Sequence, residues 1–87
     1  MALQGIDAAR NSLWKASNNY ADIQRQLDRY NKVFEAYANA SPETQIRAAS
    51  VMRQALDEYN SLKRQQEENT LKIYEAQSWV DYYNNNS

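Results

Sequence analysis

The sequence predicts an all-α protein folded as one long antiparallel two-helix hairpin of coiled-coil type. Three observations predict it. Apolar and aromatic residues recur with an unbroken 4–3 spacing from Ile6 to Tyr37, the composition is rich in helix formers, and the single Pro lies in a short polar segment near the middle of the 87 residues. A repeat of 3.5 residues keeps one seam of a helix turned toward another helix, so the first ladder requires a second helix of similar length. One Gly and one Pro leave almost nothing from which to build further turns. Residues 1–87 read as a single helical-hairpin domain.

In heptad notation the first ladder has Ile6, Leu13, Tyr20, Leu27 and Phe34 at a, and Ala9, Ala16, Ile23, Tyr30 and Tyr37 at d. Met1 to Gly5 form a lead-in, with Gly5 as its flexible point and Asp7 as an N-cap or first-turn acid. Helix 1 is expected over about residues 6–39, a length of roughly 50 Å at the helical rise. Its outward positions carry Lys15, Arg25, Asp28, Arg29, Lys32 and Glu35, and Asp28 and Lys32 are spaced to pair.

The turn falls at about residues 39–43. Asn39 tolerates the left-handed backbone that ends many helices, Ser41 is an N-cap, Pro42 suits the first helical position, and Glu43 complements the positive helix end. So short a connection makes the two helices antiparallel.

Helix 2 is expected from the Pro42–Glu43 step to about residue 83. Its seam reads Ala49, Met52, Leu56, Tyr59, then Leu62, Gln66, Asn69, Ile73, Ala76, Val80 and Tyr83. The steps from Leu56 to Tyr59 to Leu62 are 3–3, a stammer that overwinds a coiled coil locally. Gln66 and Asn69 place amides on the seam, where buried polar groups cost stability but set register. Lys63–Glu67, Arg64–Glu68 and Glu68–Lys72 are spaced as outer-face pairs. The run Asn84-Asn85-Asn86 before Ser87 predicts a frayed end.

Composition narrows the function to contact. The chain has no His and no Cys, which excludes thiol nucleophiles, histidine acid–base pairs and nitrogen or sulfur metal ligands. Neighbouring acids such as Asp57-Glu58 diverge by about 100° on a helix, and two helices are expected to enclose no pocket. No enzyme, no cofactor, no metal and no small-molecule ligand are therefore expected. Ten Lys and Arg against eleven Asp and Glu give a net charge of −1. The short basic stripe of Arg25, Arg29 and Lys32 is broken by acids, so nucleic acid is not an expected partner. No apolar run is long enough for a membrane span or shaped like a Sec signal. The expected location is a bacterial cytoplasm, or the cell surface after export by a dedicated machine.

The last third of helix 2 is apolar nearly all round. Leu71, Tyr74 and Tyr82 lie beside the seam residues, Trp79 lies on another side, and folding at the turn brings Trp14 to the level of Thr70 and Tyr74. Trp14, Leu71, Tyr74, Trp79, Tyr82 and Tyr83 are the expected inter-subunit contacts, with Gln66 and Asn69 as register setters. The expected partner is a second copy of the chain or another helical protein.

In helix 2, Leu56-Asp57-Glu58-Tyr59-Asn60, followed by Gln66 and by Asn69-Thr70-Leu71-Lys72-Ile73, resembles the needle-subunit family of bacterial type III secretion systems. The resemblance implies a Cys-free helical hairpin without a cleaved signal that self-assembles into a hollow filament, with helix 2 toward the lumen and the turn near the outer surface. The alternatives are a soluble partner-binding hairpin, either a small secretion co-chaperone or an exported hairpin resembling the type VII substrates, and a virion scaffolding or structural protein. Against the type VII alternative, no Trp-x-Gly stands at the turn.

Overall fold

A computed structural model describes the backbone of residues 2–86 and the side chains of residues 5–86. Two α-helices, α1 over Ala2–Ala38 and α2 over Pro42–Asn85, are the only regular elements among the described residues. They pack antiparallel into a rod of 64 × 16 × 14 Å. A compact chain of this length would have a radius of gyration of about 12 Å; the Cα value here is 19.2 Å.

Helix α1 begins at Ala2, so Gly5 lies inside it, and its φ is not positive. Its role is close approach rather than flexibility. A Cβ on Gly5 would stand 2.6 Å from Cζ of Tyr83, so the missing side chain lets that ring lie against α1. Asp7 is exposed and falls beyond the first turn, and so caps nothing. Met1 and Ser87, the outermost residues of the expected lead-in and tail, lie outside the described residues.

The turn departs from expectation at one residue. Asn39 does not take a left-handed conformation, because no residue described here has positive φ. The chain leaves α1 through a tightened last turn instead, with Ala40 N–H donating to the Tyr37 carbonyl at 3.1 Å. Ser41 is then extended, at φ −63° and ψ 154°, as a residue before Pro must be, and its hydroxyl accepts from the Thr44 N–H at 3.3 Å. Gln45 adds a clamp across the turn. Its Nε2 donates to the Tyr37 and Ala38 carbonyls at 3.0 and 3.4 Å, and its own carbonyl accepts from the Tyr37 hydroxyl at 3.1 Å.

That clamp fixes which face of α2 meets α1. The seam of α2 runs Gln45, Ala48, Met52, Ala55, Tyr59, Leu62, Gln66, Asn69, Ile73, Ala76, Val80 and Tyr83, every one buried or half-buried. The spacing is 3–4 throughout, and the expected stammer does not exist. Ala49 and Leu56 lie outside the seam, with Leu56 49% exposed. The cause is steric: Tyr30, Phe34 and Tyr37 fill this half of the interface from α1, and Ala48 and Ala55 leave room for rings that Leu56 would displace. Two rungs confirm the unslipped register. The Gly5–Tyr83 contact and the hydrogen bond from the Tyr30 hydroxyl to Glu58 are separated by 25 residues on each helix.

On the outer face, Lys63 lies over the Tyr59 ring at 5.7 Å, not on Glu67, and Asp28 accepts from Gln24 at 3.2 Å, not from Lys32. Arg25 and Asp22 form the one ion pair among the described residues. At the far end α2 continues through Asn85, and both the backbone N–H and the Nδ2 of Asn86 donate to the Tyr82 carbonyl. The asparagine run closes the helix instead of fraying it.

Candidate interaction surface

The heptad positions that flank the seam divide the open end of the hairpin into two unlike sides. Each residue turns the helix by about 100°, so b and e positions of both helices face one way and g and c positions the other. Trp14 and Tyr74 both occupy b positions, and they stand out from that flank at 65% and 67% exposure. Trp79 and Tyr82 occupy g and c positions on the opposite flank. Leu71 points outward, away from both. The six expected contact residues therefore do not form one patch.

On the Trp79 flank the structure brings three rings together. Trp79 meets Tyr82 edge-on at 5.7 Å and Tyr83 at 6.1 Å, and Tyr82 meets Tyr83 edge-on at 5.4 Å. Tyr83 is half-buried against Gly5, which makes it mainly a seam residue; Trp79 and Tyr82 remain open to solvent. Beside this cluster lies a groove of about 620 Å³. Short side chains on α1, namely Gly5, Ala8, Ser12 and Ala16, form its floor, and Asn69, Lys72, Glu75 and Trp79 on α2 form its far wall. The pair of helices thus has a concavity that two helices were expected to lack. A second hollow on the same flank, of about 240 Å³, is lined by Gln26, Arg29, Tyr30 and Val33.

The two seam amides behave differently. Gln66 is 8% exposed and its Nε2 donates to the Tyr20 carbonyl at 2.8 Å, a bond that ties the helices at mid-rod. Asn69 is 6% exposed, lines the groove, and makes no side-chain hydrogen bond with any described residue. No cluster of three or more potential metal ligands occurs among the described residues, and no described helix is long and apolar enough to cross a membrane. Nearer the turn, the Glu58 carboxylate that accepts the Tyr30 hydrogen bond raises the Tyr30 phenol above its ordinary value, with desolvation and the charge of Glu58 acting in the same sense.

Sequence reasoning missed the groove and the exposed Val33, Ile46 and Val51. The groove had a signal: Ala8 and Ser12 lie one turn apart beside the small seam residues Ala9 and Ala16, which leaves α1 without a bulky side chain on that side from Gly5 to Ser12. Compared with protein-family models, with curated proteins and with solved structures, the chain has no match.

Proposed function

We propose that this chain is a non-enzymatic structural hairpin that assembles with copies of itself through its open end. The observation that carries the reading is the exposure of Trp14, Leu71, Tyr74, Trp79 and Tyr82, five large apolar side chains within one half of a rod. Trp and Tyr are the side chains that anchor interfaces, and each flank holds an open pair of them, Trp14 with Tyr74 and Trp79 with Tyr82. The setting we propose is a secretion-associated filament of the type III needle kind, reached through a dedicated export machine. The Leu56–Asn60 and Asn69–Ile73 segments support it by resemblance. Glu58, Tyr59, Gln66, Asn69 and Ile73 of that pattern hold the hairpin together, while Leu71 and Lys72 remain free to meet neighbours.

The test is size-exclusion chromatography with light scattering over a concentration series, followed by negative-stain microscopy. A mass that climbs with concentration, ending in filaments, is the expected result. A particle that stays at the 10.2 kDa of one chain at every concentration sinks self-assembly and leaves a hairpin that serves a different protein.

A further inference from the structure

We propose that copies of this chain associate side to side through two different faces, the Trp14–Tyr74 flank of one copy seating in the Asn69-lined groove of the next. The inference rests on the self-assembly reading above and supplies its geometry. Knob and hollow lie on opposite flanks but at the same level of the rod, since Trp14 falls within the stretch of α1, residues 5–19, whose other side lines the groove. A contact between unlike faces is heterologous, so each added copy presents a fresh knob and a fresh groove.

Two further observations single out a second copy as the occupant. Asn69 is a nearly buried amide that faces the groove without a hydrogen bond to any described residue, and its carbonyl is an acceptor. An indole N–H is a donor only and needs an acceptor once water is excluded, so the Trp14 ring entering the groove can donate to the Asn69 Oδ1. Charge agrees as well. Within the groove's extent, residues 5–19 and 69–83, the knob flank carries Asp7 and Asp81 against Arg10, whereas the groove wall carries Lys15 and Lys72 against Glu75.

Complementation tests the geometry. Trp14→Ala removes the knob, and Ala8→Gln with Ser12→Gln fills the groove with neutral, helix-compatible side chains; all three positions are exposed, so the hairpin should persist, as circular dichroism would verify. Alone, each variant should remain monomeric at concentrations where the wild type grows. Mixed in equal amounts, they should form a heterodimer of two 10.2 kDa chains and stop, because one intact knob then meets one intact groove. If either variant assembles like the wild type, or the mixture stays monomeric, the proposal is overturned while self-assembly stands. A wild type that never assembles removes both. Should a variant unfold, Tyr74→Ala and Lys72→Glu repeat the pairing. Asn69→Leu is an independent probe: it should raise the thermal midpoint of the hairpin yet weaken association about tenfold, and unchanged association would refute the role given to the amide.

Discussion

Gln66 and Tyr30 show how single polar groups act in this seam. The Gln66 nitrogen is served by the Tyr20 carbonyl, but its Oε1 is buried and accepts no hydrogen bond from any described residue. An orphaned buried acceptor costs about 1–3 kcal/mol. Gln66→Leu, of similar volume, should therefore stabilise the hairpin by about 1 kcal/mol, which for a chain of this size raises the thermal midpoint by roughly 4–8 °C. A lower midpoint in thermal melts would show that the oxygen has a donor after all. Tyr30 acts through its proton. Its phenol donates to Glu58 and its pKa lies above the ordinary 10.0, so the folded chain holds this proton more tightly than the unfolded one. The contribution of the bond is complete below pH 10 and is lost as pH rises through the higher folded value. The gap in midpoint between the wild type and Tyr30→Phe should close over that alkaline range. A gap independent of pH would mean that the bond contributes nothing.

Along α2 the decisive comparison is between neighbours, Ala55 and Leu56. With Ala55 half-buried in the seam and Leu56 half-exposed beside it, Leu56→Ala should cost under about 1 kcal/mol, while Ala55→Glu, which forces a charge toward Phe34 and Tyr59, should cost several. Urea denaturation would reveal the reverse order if the seam ran through Leu56. The same pair shows why α2 was only partly legible. The ladder of α1 could be read directly because its apolar 4–3 spacing is unbroken; of its ten residues from Ile6 to Tyr37 only Tyr20 is exposed, at 38%. In α2 the seam is built from small residues near the turn, where Ala48-Ala49 and Ala55-Leu56 offer two candidates at each step. At Ala55-Leu56 hydrophobicity chooses the larger, and the shape of the facing α1 rings chooses the smaller; between Ala48 and Ala49 hydrophobicity has nothing to choose. Gln45, the polar side chain that settles the matter, carries no apolar signal. The amides of Gln66 and Asn69 were legible because they interrupt a regular pattern, but the groove was not, since it is defined by the side chains that are missing from it.

As a whole the molecule exposes more surface than its mass requires. A folded monomer of 10.2 kDa is expected to show about 5,300 Å², and this rod shows 6799 Å². No large side chain is fully buried among the described residues. If copies associate as proposed, contacts beyond one hairpin cover part of this surface, and the thermal midpoint should rise with protein concentration. A midpoint constant over a hundredfold range would mean that the lone hairpin is the complete folding unit. The unslipped ladder has a mechanical consequence. Gly5 and Tyr83 lie side by side, so a load pulling the chain apart at these two points is borne by one rung at a time, and the helices peel from the open end toward the Gln45 clamp. A load along the rod that slides one helix past the other strains every rung together. The protein is therefore weak as a zipper and strong as a lap joint, and copies that bind across its flanks at the open end would guard the end from which peeling starts.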